Sequence, residues 1–323
     1  MRKTEKKREK LKLAQTCFPI LGFQAPPVKN RRANVLYSAT PAFPVLRPKT
    51  LKTNRDTLEF VCLSDTGRVR TLNEDAVAID AEFGFAMVAD GVGGHRAGDV
   101  ASRMAADIIG ERLRSKVEQF RAGARQPTPL QFAEQIIGEA NRAIHRTARQ
   151  QSGCAGMGTT LALALFYEQQ VALLHVGDSR IYRLRNGTLQ LLTRDDSLLC
   201  DQVDLGLIAA EDAGDSHNRH LVTQALGVGA TVPVHLKEED VRSGDVFLLC
   251  SDGLNDLVGE SDIELIVDSL KTNLALAAAH LVQLANDNGG YDNISVALVR
   301  VRDTAAPSEK KGWFARLFGW LAS

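Results

Sequence analysis

The sequence predicts an α+β protein in which sheets pack on sheets and helices form the outer layers. Two observations carry that expectation. Apolar runs of strand length come in clusters instead of alternating one by one with helices. Stretches with helical spacing lie between those clusters, and a strong two-residue hairpin turn, Asn186-Gly187, joins two of the runs.

Residues 1–55 come first and look unlike the rest. They hold six of the ten prolines and 14 Lys and Arg against Glu5 and Glu9, so this arm carries +12 and the remainder −12. A basic, Pro-rich segment with no hydrophobic period buries too little apolar surface to offset its ordering entropy. It is expected to be disordered, with a folded domain over 56–303 and a linker and tail over 304–323. The acidic body argues against nucleic acid as a partner of the folded part, because phosphate backbones need a basic surface. Five widely spaced cysteines without a CxxC pair point to a reducing compartment and no structural zinc. No apolar run approaches the roughly 20 residues of a spanning helix, and LKLAQTCFPILGF, broken by Lys12 and Pro19, is a poor signal-peptide core. The chain is therefore expected to be cytoplasmic.

The first strand is LEFVCLSD, which alternates and ends on Asp65. AVAIDAE and FGFAMVA follow, and the second stops at Asp90 before a loop containing Gly91, Gly93, Gly94 and Gly98. Val100, Met104, Ala105, Ile108, Ile109 and Leu113 fall on one helical face. After RAGARQ, Thr128 is a plausible N-cap with Pro129 at the first helical position, and Leu130 to Ile144 form the apolar stripe. Strands return with TTLALALFY, VALLHVGDSR and IYRLRNGTLQLLT. Residues 194–220 are polar and Asp-rich and read as a flap or long loop. DVFLLCSDG is a strand, Ser261 with Glu264 predicts a capping box opening the helix SDIELIVDSL, a further helix covers Leu274–Ala285, and NISVALVRV is the last strand.

Acids mark the strand ends. Apolar runs end on Asp90, Asp178 and Asp252, and Asp292 immediately precedes ISVALV. Two readings stand. These are either solvated turn acids, since Asp is common in turns, or a convergent cluster that needs hard cations such as Mg²⁺ or Mn²⁺ to hold its like charges together. Arg70, Asn73, Glu74 and Asp75 form a second group, either a solvated charge cluster or a phosphate donor beside acids.

The ordered set RxxNED, DGVGG, GMGTT, GDSR, LTxD, SDGLND and YDNIS, from roughly Leu58 to Val301, resembles the bacterial branch of the metal-dependent PPM family (type 2C) of serine/threonine protein phosphatases. The resemblance implies an α-β-β-α sandwich of two antiparallel sheets flanked by helices, with a binuclear Mn²⁺ or Mg²⁺ centre at one end. It implies that Asp90 bridges two ions, that Gly91 offers its carbonyl to one, and that Asp252 and Asp292 ligate the other. Glu74 and Asp75 would hold coordinated water, Arg70 would bind substrate phosphate, and Asp178 with Asp252 would hold a third, weaker ion. A water activated at the two ions would then hydrolyse phosphoserine and phosphothreonine in proteins, the substrates of a Ser/Thr kinase, without a phosphoenzyme. No cysteine sits in a phosphate-cradling loop: Cys62 has the Cys-x5-Arg spacing to Arg68 but falls inside the apolar strand LEFVCLSD, which disfavours a cysteine nucleophile. The competing reading is an inactive PPM-like module that binds phosphoproteins.

Thr159 and Thr160 read as structural, packing beneath the site. Two departures stand out. Where many eukaryotic relatives have a His after the bridging Asp-Gly this chain has Val92, and His95 does not inherit that position; where bacterial members read LTxDHS it has Asp195-Asp196-Ser197. In the tail, Trp313, Phe314, Leu317, Phe318, Trp320 and Leu321 fall at helical spacing beside Lys310, Lys311 and Arg316. Residues 310–321 read as a peripheral membrane anchor, a partner-docking helix, or a segment folding back on the domain.

Overall fold

The computed structural model describes residues 36–37, 49–52, 57–93, 97–122, 127–208 and 221–302. His95, most of the arm, part of the flap and the aromatic tail lie outside the described residues. Everything described belongs to one compact unit, Val35–Ser323.

Among the described residues thirteen strands build two sheets, both antiparallel throughout. In chain order they are β1 (Leu36–Tyr37), β2 (Lys49–Lys52), β3 (Leu58–Asp65), β4 (Asp75–Asp80), β5 (Phe85–Val92), β6 (Gly158–Thr159), β7 (Leu161–Tyr167), β8 (Gln170–Val176), β9 (Arg180–Arg185), β10 (Thr188–Leu191), β11 (His235–Asp240), β12 (Val246–Cys250) and β13 (Ile294–Val301). One sheet runs β1-β4-β5-β7-β8-β11 with β6 on β5; the other runs β10-β9-β12-β13-β3-β2. The helices are α1 (Ala97–Arg121), α2 (Pro129–Gln150), α3 (Leu198–Asp204), α4 (Asp252–Asn255), α5 (Glu260–Leu270) and α6 (Leu274–Asp287).

Three apolar layers hold these parts together. Between the sheets, Phe60, Val77, Ile79, Val88, Phe166, Phe247 and Val299 interdigitate, with Phe166 edge-on to both Phe60 and Phe247. Outside the first sheet, Phe85, Met87 and Leu163 pack against Ile109, Leu113, Ile137 and Ile144 of α1 and α2. Outside the second, Val61, Leu248 and Leu298 pack against Ile263, Val267, Leu281 and Val282 of α5 and α6. The result is the expected α-β-β-α sandwich. Strands covered on both faces are apolar at every step, which is why β4 buries all six of its residues.

Several local expectations meet the structure. Asn186 and Gly187 have φ of 54° and 79°, the left-handed pair of a two-residue hairpin. Thr128 caps α2 and forms a reciprocal box with Gln131. The box expected at Ser261 does not form: α5 starts at Glu260 behind Gly259, and Glu264 instead accepts the Leu189 N–H at 2.6 Å, tying α5 to β10. Within the arm expected to be disordered, β1 pairs with β4 and β2 with β3. The cause is general, since an edge strand offers a row of unpaired backbone groups to any extended segment nearby.

Candidate metal centre

One end of the sandwich collects the acids. Asp75 opens β4 and stands directly opposite Asp90, near the end of β5. Asp252 follows Cys250 and Ser251 at the end of β12, and Asp292 precedes β13, whose Val296 pairs with Cys250. Cys250 also pairs with Arg180, so Asp178 lies just before the same rim.

Glycines allow the close approaches. A Cβ on Gly253 would lie 2.1 Å from the Asn293 carbonyl oxygen, and one on Gly91 would lie 2.2 Å from that of Gly98. Only hydrogen at these positions lets α4 meet the Asp292 loop and lets β5 cross the start of α1. Asn293 locks the loops: its amide donates to the carbonyls of Thr66 and Leu72, and its Oδ1 accepts the Glu74 N–H at 2.8 Å. Thr159 and Thr160 are fully buried beneath Asp90. Thr160 Oγ1 accepts the Asp90 N–H at 3.0 Å and Thr159 Oγ1 donates to the Asp90 carbonyl at 2.8 Å, as their structural reading expects.

A network the sequence does not announce backs Asp75. Ser251 Oγ donates to Asp75 Oδ2 at 2.8 Å and accepts the Ser295 N–H at 3.0 Å. Ser295 Oγ donates to Ser64 Oγ, which also accepts from the Asn73 amide. Small polar residues inside strands carry no pattern of their own, and the only sequence signal for this network is their place at strand ends beside the acids.

The electrostatics show that the acids face one another. Burial, and then the charges of Asp75, Asp252, Asp178 and Asp292, push the Asp90 carboxyl well above its usual range. Burial raises Asp75 to about 7, with Asp252 and Asp292 adding to the rise and the Ser295 and Ser251 hydroxyls opposing it. Asp178 is raised by burial, then by Asp252 and Asp195. Glu74 is raised by burial, helped by Asp99 and Asp292 and opposed by Arg70 and a backbone hydrogen bond at Asp99. Arg70 is half-exposed and donates to Asp292 Oδ2 at 2.7 Å. The structure thus brings together Arg70, Glu74, Asp75, Asp90, Gly91, Asp178, Asp252 and Asp292.

This donor set suits hard dications. All the acidic side chains offer oxygen, and Asp75 Oδ1 is buried with no hydrogen-bond partner. Like charges held this close in a partly dry rim are stable only with protons or cations among them.

The flap departure also has a structural account. Asp195 takes Arg180 of GDSR in a forked ion pair at 2.7 Å, Asp196 accepts the Gly177 N–H at 2.9 Å, and Ser197 caps α3.

Known proteins resemble this chain over most of the described fold. A family model described as Protein phosphatase 2C matches residues 67–286. The serine/threonine phosphatase stp of Listeria welshimeri is 38% identical over 246 residues, which span 73% of this chain and 93% of that protein. The serine/threonine protein phosphatase PstP of Mycobacterium tuberculosis is 36% identical over 247 residues, 76% of this chain and 45% of the longer relative. The crystal structure of the catalytic domain of PstP in complex with two manganese ions superposes with a TM-score of 0.67 at 34% identity, covering 76% of this chain and 99% of that one.

Proposed function

The chain belongs to the protein phosphatase 2C family, and on that footing we propose how its rim residues carry out the metal-dependent hydrolysis of phosphoserine and phosphothreonine in proteins. Asp90, the Gly91 carbonyl, Asp252 and Asp292 would hold two Mn²⁺ ions, with Asp90 serving both. Glu74 and Asp75 hold coordinated water, and Asp178 with Asp252 offers a third, weaker position. Mg²⁺ fits the same oxygen set. The observation that carries this assignment is the convergence of the strand ends: Asp75 stands opposite Asp90 across β4 and β5, Ser251 beside Asp252 donates to Asp75, and Arg70 donates to Asp292.

Bound there, the ions supply a water acidic enough to lose its proton near neutral pH and positive charge for the phosphoryl oxygens. The chain's own residues do the rest. Arg70 presents a planar, permanently charged fork from the rim edge, where it holds Asp292 and is open to an incoming phosphate. Ser251 and Ser295 orient Asp75 and keep it ionisable. Thr159 and Thr160 fix the main chain of Asp90. No cysteine takes part, since Cys250, the nearest to the rim, is buried and pushed up to about 12.

The catalytic domain in this reading spans 56–303 and acts in bacterial signalling, opposite a Ser/Thr kinase. The odd, scattered cysteines support a cytoplasmic setting. Among the described residues no helix is long and apolar enough to cross a membrane. The tail at 310–321 supplies peripheral contact with a membrane or partner, on the strength of its aromatic spacing and flanking Lys and Arg. The test is hydrolysis of a phosphothreonine peptide with Mn²⁺, with a chelator, and with Asp252→Asn. Activity that survives chelation sinks the mechanism.

A further inference from the structure

We propose that His175, Asp196 and His235 form a second metal site, for one dication of the zinc class, built from a donor set unlike that of the carboxylate rim. The two histidines are direct cross-strand partners in the β8–β11 ladder, with ring centroids 5.7 Å apart. Asp196 comes to them from the segment between β10 and α3. Its Oδ1 lies 2.7 Å from His235 Nε2, and its Oδ2 is held by the Gly177 N–H at 2.9 Å. One ligand atom from each of the three residues lies within 4.8 Å of the other two.

The second, independent observation is His175 itself. It is 2% exposed, and neither of its ring nitrogens has a hydrogen-bond partner. The Ser179 main chain lies close enough to oppose the lowering of its pKa but makes no hydrogen bond of standard geometry with either nitrogen. A buried imidazole that leaves both nitrogens unsatisfied loses hydration without replacement, and a metal–nitrogen bond is the replacement this surrounding offers. Burial also holds His175 below its ordinary pKa, against the opposing pull of Asp196 and Asp195, which keeps it in the neutral form that ligates metals.

Two imidazoles and one carboxylate match Zn²⁺, whose bonds of about 2.0–2.2 Å put tetrahedral ligand atoms roughly 3.4 Å apart. Zinc entry requires the half-exposed His235 to give up its 2.7 Å contact with Asp196 and move to that spacing, and its exposure leaves a fourth position open to water. The rim, made only of oxygen, prefers Mn²⁺ or Mg²⁺, whereas imidazole favours zinc, so the two sites sort ions by donor type. The expectation of no structural zinc rests on cysteine spacing, which does not register this histidine pair.

Occupancy would join three pieces of chain. Asp196 N–H donates to the Gly177 carbonyl at 2.7 Å, and the Thr223 N–H donates to the Asp196 carbonyl at 2.7 Å. Gly177 adjoins Asp178. An ion here therefore ties β8 and β11 to the root of the flap, next to a rim acid.

The test uses the full chain saturated with Mn²⁺, dialysed against Zn²⁺ in the continued presence of Mn²⁺, with both metals quantified. We expect one equivalent of zinc to be retained with no loss of manganese, and Co²⁺ in its place to give the visible absorption of a tetrahedral nitrogen-ligated ion. His235→Gln, a change at a half-exposed edge position, should weaken zinc binding more than about tenfold while Mn²⁺-dependent hydrolysis persists; Asp196→Asn should behave the same way toward zinc. Zinc that enters only by displacing manganese overturns the proposal, as does a His235→Gln protein that binds it as tightly as the unaltered one. Because the cobalt spectrum is read on the unaltered chain, octahedral bands alone overturn it even where a variant fails to fold.

Discussion

Ser251→Ala tests whether the hydroxyl behind Asp75 tunes metal loading. Ser251 is fully buried and makes two bonds that alanine cannot: a donation to Asp75 Oδ2 at 2.8 Å and acceptance from the Ser295 N–H at 3.0 Å. A hydrogen bond to a charged group contributes about 1.5–3 kcal/mol, and one pKa unit corresponds to about 1.4 kcal/mol. Loss of the donor therefore raises the Asp75 carboxyl from about 7 by at least roughly one unit. At pH 7 its ionised fraction falls from about one half to about one tenth. A protonated Asp75 no longer holds the metal-bound water as an acceptor, so half-saturating Mn²⁺ should rise about fivefold at pH 7 and return toward the unaltered value by about pH 9. The orphaned Ser295 N–H separately costs about 1–3 kcal/mol of stability at every pH. The assay is Mn²⁺ titration of phosphopeptide hydrolysis at pH 7 and pH 9, with kcat at saturating metal close to that of the unaltered chain. An Mn²⁺ requirement unchanged at pH 7, or raised equally at both pH values, refutes the reasoning.

Three further outcomes follow from the rim. Gly253→Ala forces a Cβ against the Asn293 carbonyl, 2.1 Å away in the present backbone, and should cost about 1–3 kcal/mol while weakening Mn²⁺ binding by parting Asp252 from Asp292; an unchanged Tm and an unchanged Mn²⁺ titration together would contradict it. Arg70→Ala should raise KM for a phosphopeptide more than it lowers kcat, and Arg70→Lys should restore little because the fork is lost, which steady-state kinetics will decide. Without metal, Asp75, Asp90, Asp178 and Glu74 have folded pKa values raised above their unfolded ones, so their contribution is complete below about pH 4 and is lost as pH rises through the folded values, near 7 for Asp75. The Tm increment given by Mn²⁺ should therefore grow between about pH 5 and pH 8. An increment that is flat or falls over that interval counts against it, since Glu59 and Glu239, with lowered values, exert their effect only below about 4.5.

Much of the fold is legible because burial on two faces writes itself as uninterrupted apolar sequence: β4, β5, β7, β12 and β13 all show it, and an acid at the end of such a run is conspicuous. β11 is not legible. Its residues His235–Asp240 are nearly all exposed, and it holds its place through backbone bonds to β8, which no hydrophobic alternation records. Glu264 misleads for a related reason. Its spacing from Ser261 fits a local cap, but the carboxylate is taken by the Leu189 N–H, a partner 75 residues away that only the folded chain supplies.

The candidate site divides along the same line. Asp90, Asp178, Asp252 and Asp292 can be found by their position at strand ends and Asp75 by its charged group with Arg70, Asn73 and Glu74, whereas the supporting roles of Ser64, Ser251 and Ser295 are found only once the two sheets are assembled. The distinction is physical. Each acid is held by a different strand end, and three are locked by a bond from elsewhere in the chain: Asp90 by Thr159 and Thr160, Asp75 by Ser251, Asp292 by Arg70. The charges of the rim carboxylates oppose the closure of this end of the sandwich, raising Glu74, Asp75, Asp90 and Asp178, and the hydroxyls and the Asn293 hub hold the closed arrangement before any ion arrives. Metal affinity is therefore a property of both sheets together, and a change that shifts one sheet against the other should reach the rim without touching a single ligand.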